Sequence, residues 1–385
     1  MDTRSADRRE AILNSMHIEL IDHNPGVTTG GVARYVHELY QQLSAAVSVS
    51  WSYLVPVPGA QRLSFLRHLP RAVSPHQPGA IVHFTQIMGC ALLLWRKLHP
   101  AVVTVHDLGA LERPEEWQMF DPLGRQLLRL SLAGLRRADL IIADSEFTRG
   151  GLIKHRLAAP ERIVTVPLAV DHAQFRPDPH AADQLLTDYP ALAERKRPWL
   201  LYVGSELPRK NITTLLQAVA RLKQRYPDLA LLKVGAAGSE QFRAQTLSEI
   251  RARGLEQSVV LLDRVSNDDL ARFYAAADLF IQPSLLEGFG LPPLEAMACG
   301  TPVVCSDIPA LREVVDGAGE LVDGRSAEAL AQSVARVLDD AALAATMVGR
   351  GIERAQRFSW EHTRQRTLQA YDRCLDATRP AKEPR

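Results

Sequence analysis

Residues 279–304 read LFIQPSLLEGFGLPPLEAMACGTPVV. The apolar start of this stretch predicts a buried strand at Leu279–Pro283, and a second β-branched run predicts another at Val303–Ser306. Between them, Pro292–Ala298 has the composition of a short helix that begins with proline. Two strands joined through a helix in one sheet run parallel to each other. The stretch therefore predicts an α/β fold with a parallel sheet.

The same alternation of strands and helices continues in both directions and occurs twice along the chain. In the first half it predicts strands at His17–Asp22, Val47–Val55, Ala80–Phe84, Val102–His106, Leu140–Asp144 and Ile163–Val166. In the second half it adds strands at Trp199–Gly204, Ala230–Gly235, Val259–Leu262 and Glu320–Val322. A polar stretch with prolines, residues 176–198, separates the halves and is predicted to be a linker. We expect two Rossmann-like domains, with ligands at the carboxyl ends of their strands.

Composition excludes several classes of protein. The formal net charge of the 385 residues is +1, so nucleic acid is not an expected partner. The 4 cysteines form no C-x-x-C pair, which favours a reducing compartment over a disulfide framework or a zinc site. The charged first residues do not resemble a secretory signal, and no apolar run is long enough to span a bilayer. These features predict a cytoplasmic protein.

The loop between the strand and the helix at residues 283–295 has the composition of a ligand site. Glu287 and Glu295 flank Gly288, Phe289, Gly290 and Leu291. Glycines allow backbone amides to approach a ligand closely, and a helix N-terminus favours phosphate. Carboxylates accept hydrogen bonds from sugar hydroxyls. The alternative is that Glu295 only complements the helix dipole and that Glu287 is an ordinary loop residue.

Residues 283–304 closely resemble the donor-site signature of glycosyltransferase family 4, whose fold is GT-B, with two Rossmann-like domains facing each other across a cleft. The resemblance implies a retaining enzyme that uses a nucleotide-sugar donor. It implies that Glu287 contacts the transferred sugar and that Glu295 contacts the nucleotide ribose. Gly288, Phe289, Gly290 and Leu291 would complete this part of the donor site.

A second match lies at residues 202–211, YVGSELPRKN. It resembles the cationic segment that holds the donor diphosphate in the family, which places that role on Arg209 and Lys210. Many relatives carry arginine where this chain has Ser205, so Arg209 is expected to take over that contact. The resemblance implies that this positive charge replaces a metal, and the D-x-D metal motif of the other large transferase fold is absent. We expect no metal and no cofactor. A solvated helix start is the alternative interpretation of the two cations.

Two segments of the first half also match the family. Gly30 and Gly31 resemble its glycine-rich loop over the donor diphosphate, with a flexible turn as the alternative interpretation. His106 and Asp107, at the end of an apolar strand, resemble its His-Asp strand end. The resemblance implies that His106 positions the reacting groups near the anomeric carbon and that Asp107 assists it.

Two weaker matches complete the site prediction. Ser145 and Arg149 follow the strand that precedes the acceptor wall in the family, although a helix cap explains them equally well. Val265 stands where relatives hold the nucleobase, and the neighbouring Arg264 departs from their usual small or aromatic residue.

The resemblance implies transfer of a hexose to a glycan or lipid-linked acceptor in polysaccharide synthesis. The Pro-Arg-Lys-Asn form of the cationic segment most resembles mannosyl- and rhamnosyltransferases, which favours GDP-mannose as the donor. UDP-sugars and dTDP-rhamnose are alternatives. A nucleotide-sugar epimerase and a protein that only binds sugar nucleotides also stay open. A phosphorylase would need a buried lysine for pyridoxal phosphate, and the sequence indicates none.

The expected domain organisation has five parts. A flexible lead-in covers 1–15, an acceptor domain 16–190, a donor domain 191–357, a helix returning to the first domain 358–376, and a flexible tail 377–385. The segment 61–72 mixes arginines with leucine and phenylalanine, which fits peripheral contact with an anionic membrane at its inner face and fits a solvated basic face equally well.

Overall fold

The computed structural model describes residues 16–22, 31–53 and 79–378 of the chain. It divides into two compact units. Unit 1 comprises the described residues up to Leu168 together with those from Trp360 onward. Unit 2 comprises Ala169–Ser359.

Unit 1 is built on a parallel sheet. Its strands in the described residues are β1 (His17–Asp22), β2 (Ser48–Tyr53), β3 (Ile81–Phe84), β4 (Ala101–Val105), β5 (Leu140–Ala143) and β6 (Ile163–Thr165). They lie in the order β2-β1-β3-β4-β5-β6, and every recorded pairing is parallel. All residues of β3, β4 and β5 are buried, as expected for strands covered on both faces.

Helices flank this sheet in chain order. They are α1 (Gly31–Ser44), α2 (Gly109–Glu112), α3 (Pro114–Met119), α4 (Pro122–Leu135), α5 (Glu146–Lys154) and, at the end of the chain, α14 (Trp360–Thr378). A buried 3₁₀ helix, Ile87–Leu94, packs along α4. Gly134 permits this close approach, because a Cβ there would lie 1.9 Å from the Cys90 carbonyl oxygen.

Unit 2 has a second parallel sheet. Its strands are β7 (Trp199–Val203), β8 (Ala230–Val234), β9 (Val259–Leu262), β10 (Leu279–Gln282), β11 (Val303–Ser306) and β12 (Glu320–Val322), in the order β12-β11-β10-β7-β8-β9. The recorded pairings are again parallel. The prediction of two parallel α/β sheets is therefore confirmed.

The helices of unit 2 follow the amphipathic pattern of the sequence. They are α6 (Ala181–Asp188), α7 (Ile212–Arg225), α8 (Glu240–Ala252), α9 (Asn267–Ala276), α10 (Leu291–Ala298), α11 (Pro309–Val315), α12 (Ala327–Asp339) and α13 (Ala341–Gln356). In α12, Ser326 caps the helix by accepting from the Ala329 N–H. Leu330, Val334 and Val337 then recur at helical spacing and enter the core.

The segment 176–198, predicted to be a linker, contains the helix α6. This helix packs against α9 through its buried Leu185. Beyond it, the Tyr189 and Phe273 rings meet edge to face with centroids 5.2 Å apart. These contacts attach the segment to α9 of unit 2. Unit 2 begins at Ala169, whereas the expected boundary was at 190.

Three other helices were not predicted. The helices α2 and α3 are short, and α11 begins with Pro309 directly after an exposed loop. Gly30, the segment 61–72 and the terminal segments 1–15 and 379–385 lie outside the described residues. Among the helices that the structure describes, none combines the length and apolar character needed to cross a membrane.

Candidate functional site

The glycine-rich loop of unit 2 connects β10 to α10. Gly290 immediately precedes the helix and has a φ of +118°, in the left-handed region that favours glycine. A Cβ at this position would also lie 2.6 Å from Cδ2 of Leu311. Both the backbone and the space around it therefore require glycine, which fixes the path of the loop into the helix.

The start of α10 offers fewer amide donors than the sequence interpretation assumed. Pro292 and Pro293 carry no N–H group, and the Leu294 N–H is directed to the Gly290 carbonyl at 3.4 Å. A phosphate group here would therefore depend on the cations of the neighbouring loop more than on the helix N-terminus.

Those cations meet Glu287 directly. Lys210 Nζ donates to Oε1 and Oε2 of Glu287 at 2.6 and 2.9 Å. Arg209 lies farther away, with Nη1 3.7 Å from Oε2 of Glu287. Gln282 Nε2 also donates to Oε1, at 2.7 Å. The segment predicted to hold the donor diphosphate and the loop predicted to hold the sugar are thus in direct contact, and Gln282 joins them.

Glu287 is buried and remains ionised. Burial by itself would raise its pKa, but Lys210, Arg209 and a hydrogen bond with Ser284 hold the pKa below the usual value. An ionised carboxylate accepts hydrogen bonds and does not donate a proton. Glu287 is thus suited to hold a hydroxyl-rich ligand and is not suited to act as a general acid.

Asn211 fixes the cationic segment against its neighbours. Its backbone is left-handed, with a φ of +58°, a conformation that asparagine tolerates better than most residues. The side-chain amide donates to the carbonyls of Pro283 and Gly324 at 3.0 and 2.6 Å. These bonds tie the loop after β7 to the loops after β10 and β12, and the bond to Pro283 helps to hold Lys210 against Glu287.

Further donor-site candidates lie in the same unit, whereas Gly31 lies in unit 1. Glu295 is buried and accepts from the Tyr274 hydroxyl at 2.8 Å. Phe289 is buried against Phe358, with ring centroids 5.8 Å apart. The Ser205 carbonyl accepts from the Tyr202 hydroxyl. Other candidates are Gly288, which is buried, and Leu291 and Val265, which are half-buried.

A second group of charges lies at the ends of β7 and β8. Lys233 is buried and its Nζ lies 2.9 Å from Oε1 of Glu206, whose side chain is also buried. Arg243 contacts Glu206 at 3.0 Å and Asp263 at 2.8 Å. The sequence did not indicate a buried lysine. The buried Lys233 forms an ion pair with Glu206.

In unit 1, strand register brings His106 to Asp144. Val105 pairs with Ala143, so the residues that follow these strand ends lie side by side. His106 Nδ1 is 2.7 Å from Oδ2 of Asp144, and Nε2 is 2.9 Å from the Thr85 carbonyl oxygen. The sequence motifs did not indicate Asp144 as the partner of His106. Asp144 follows the end of β5 as His106 follows the end of β4.

The other candidates of unit 1 have structural contacts of their own. Asp107 accepts from the Gly109 N–H at 2.9 Å, where the sequence analysis expected it to assist His106. Ser145 caps α5 by accepting from the Thr148 N–H at 3.0 Å. Arg149 lies 3.6 Å from Glu146 on the same helix, and Gly31 is the exposed first residue of α1. An acceptor-binding role for Ser145 and Arg149 stays a prediction.

A buried polar network lies beneath His106. The Tyr371 hydroxyl is 2.7 Å from His83 Nδ1, and His83 Nε2 is 2.8 Å from the Thr104 hydroxyl. Thr104 in turn lies 3.0 Å from the Tyr35 hydroxyl. The Tyr35 ring meets the His106 ring edge to face at 4.9 Å. The C-terminal helix α14 is thereby linked to the environment of His106.

Two family models match this chain. Residues 46–174 match the model described as Glycosyltransferase Family 4, and residues 189–354 match Glycosyl transferases group 1. O-antigen chain mannosyltransferase B of Escherichia coli is 32% identical over an alignment of 379 residues. The match covers 89% of this chain and 95% of that protein. The chain belongs to glycosyltransferase family 4. It is a glycosyltransferase, and retention of the anomeric configuration is typical of this family.

A further relative shows a shorter match. The D-inositol 3-phosphate glycosyltransferase of Salinispora arenicola is 36% identical over 256 residues, or 63% of this chain. The chain spans 56% of the length of that relative.

Solved structures identify the fold of this family 4 chain as GT-B. Sucrose-phosphate synthase from Thermosynechococcus elongatus matches 94% of this chain and 100% of its own, with a TM-score of 0.76 and 25% identity. HepE from Anabaena, in complex with UDP and glucose, matches 93% of this chain and 99% of its own, with a TM-score of 0.75 and 20% identity.

Proposed function

We propose that this chain is a retaining hexosyltransferase that transfers mannose from GDP-mannose to a glycan or lipid-linked glycan acceptor. The main support for the donor site is the contact of Lys210 with both carboxylate oxygens of Glu287, beside Arg209 and the glycine-rich loop. Mannose is supported by the E. coli relative of almost the same length, which is named an O-antigen mannosyltransferase.

In this proposal, the diphosphate of the donor binds Arg209 and Lys210, where negative charge develops as the sugar leaves. The sugar binds Glu287, whose ionised carboxylate accepts from its hydroxyls. Glu295 accepts from the ribose, and Val265 lies against the base. The bond between the anomeric carbon and the phosphate oxygen breaks on the same face on which the acceptor oxygen bonds. The acceptor proton passes to the leaving phosphate.

The acceptor side of the proposal rests on unit 1. His106 is partly accessible at the carboxyl end of β4, with 15% of its side chain exposed, which suits a residue that borders the reacting sugar. Ser145 and Arg149 would border the acceptor, and Gly30 and Gly31 would approach the diphosphate.

Nucleotide binding tests the donor proposal. We expect GDP to raise the melting temperature more than UDP, dTDP or ADP, each added with and without its common sugars. A ligand at about 100 times its Kd adds roughly 2.7 kcal/mol to stability. A larger response to UDP or dTDP would contradict GDP-mannose and favour the alternative donors.

Turnover then separates transfer from the other activities. We expect GDP release from GDP-mannose to require a sugar acceptor. Conversion of the donor without an acceptor would instead indicate an epimerase. Binding without turnover across a panel of mannose-terminated acceptors would favour a protein that only binds sugar nucleotides.

A further inference from the structure

The two ring nitrogens of His106 are both engaged, and their partners determine where the protons lie. Nε2 is 2.9 Å from the Thr85 carbonyl oxygen, which can only accept, so Nε2 carries a proton. Nδ1 is 2.7 Å from Oδ2 of Asp144, and this contact needs a second proton between the two atoms. The geometry therefore places two protons on the pair and leaves no ring nitrogen with a free lone pair.

The charged and titratable groups around the ring favour this state. Asp144 faces it from the end of β5, Asp107 lies next to it in the chain, and Tyr35 packs on it from α1. On the adjacent strand, burial and the charge of His106 lower the pKa of His83 to about 3, so His83 is neutral.

Burial acts on both members of the pair. It would lower the pKa of His106, but Asp144, the Thr85 carbonyl and Asp107 together raise that pKa. Burial and the charge of Asp107 raise the pKa of Asp144 against the opposing effect of His106. The proton between the two atoms is shared, and its titration belongs to the pair as a unit.

We propose that Asp144 is a positioning residue that keeps the His106 ring doubly protonated and in one orientation, so that His106 has no ring nitrogen free to act as a base at the transfer site. The effect on catalysis rests on the proposed function. The protonation state does not, because it is a property of the free protein.

The state of His106 can be measured without any substrate. In protein labelled at the histidine rings, we expect the nitrogen resonances of His106 to titrate above the ordinary histidine pKa of about 6.5. The signal is assigned by its loss in His106→Gln. In Asp144→Asn the amide can donate to Nδ1 and preserve the contact, but the carboxylate charge is gone, so the midpoint should move to lower pH. A wild-type midpoint at or below the ordinary value would overturn the proposal, whatever the stability of the variant.

The pH profile of turnover tests the consequence for catalysis. A raised pKa means that the doubly protonated ring persists below it and is lost as pH rises through it, so kcat of the wild type should fall on the alkaline side. In Asp144→Asn that decrease should begin at lower pH, with kcat at pH 7.5 about 10- to 100-fold lower, as for the loss of one hydrogen bond to a charged group, and with the donor KM little changed. A wild-type kcat that rises with pH through the histidine range would show a base and overturn the proposal. Absence of turnover with every donor would count against the proposed function and leave the titration as the test of Asp144.

Discussion

Lys210→Ala is expected to lower kcat/KM for the sugar donor by about 10- to 150-fold, which corresponds to the loss of one charge-assisted contact, ~1.5–3 kcal/mol. The side chain is 12% exposed and contacts both oxygens of Glu287. Its removal deletes a phosphate-binding charge and leaves a buried carboxylate with Arg209 at 3.7 Å and the hydrogen bond from Gln282. Initial rates at varied donor concentration, with saturating acceptor, measure the change.

Two further variants separate the role of Lys210 in catalysis from its role in folding. In the double variant Lys210→Ala/Glu287→Gln, the uncompensated charge is gone, so stability should largely recover while turnover stays low. Lys196→Ala is the matched control, because that lysine lies in the same unit, is 75% exposed and pairs with Asp228 at 3.4 Å. It should behave as wild type. Full turnover in Lys210→Ala would exclude this residue from the donor site.

Glu206→Ala is expected to cost about 3–5 kcal/mol in the free energy of unfolding, because it leaves Lys233 charged, buried and deprived of its main partner. Burial already lowers the pKa of Lys233 against the opposing attraction of Glu206. Without the carboxylate, burial lowers this pKa further, and although the Gly235 carbonyl still accepts from the amine, the chain must bury an uncompensated charge or deprotonate the amine. Urea denaturation measures the loss.

Replacement of both partners gives the contrasting result. Glu206→Leu/Lys233→Met removes the ion pair together with its desolvation cost, and its stability should lie much nearer to wild type than that of Glu206→Ala. The exposed pair of Arg221 and Glu328 is the control, since Glu328→Ala should cost no more than ~1 kcal/mol. Equal losses in Glu206→Ala and Glu328→Ala would show that the Lys233 pair is not buried in solution.

The central strands could be predicted because apolar residues occupy both of their faces. The segments at 102–105 and 140–143 are fully buried, and few other structures suit such runs. The helix α6 was overlooked because it is short, and its sequence AADQLLTD is half polar. Its stability depends on contacts with α9, which are distant in sequence.

The sequence motifs of the candidate site could be predicted, but the contacts between their side chains could not. Glu287 and Lys210 were identified in separate segments, and only the parallel neighbours β7 and β10 bring them into contact. For His106, the resemblance implied Asp107 as a helper, which stays a prediction, whereas the register of β4 against β5 brings Asp144 to the ring. The partner of Lys233 was hidden for the same reason, because Glu206 follows a different strand.

Hydrogen exchange measured by mass spectrometry tests the donor site most directly. The protein is compared alone and with the nucleotide sugar that stabilises it most, at saturating concentration. Slower exchange is expected in the two loops of unit 2 at residues 204–211 and 284–291, and Lys210→Ala should weaken that protection while Lys196→Ala preserves it. Saturation without protection of either loop would contradict the assignment of the donor site to Lys210 and Glu287.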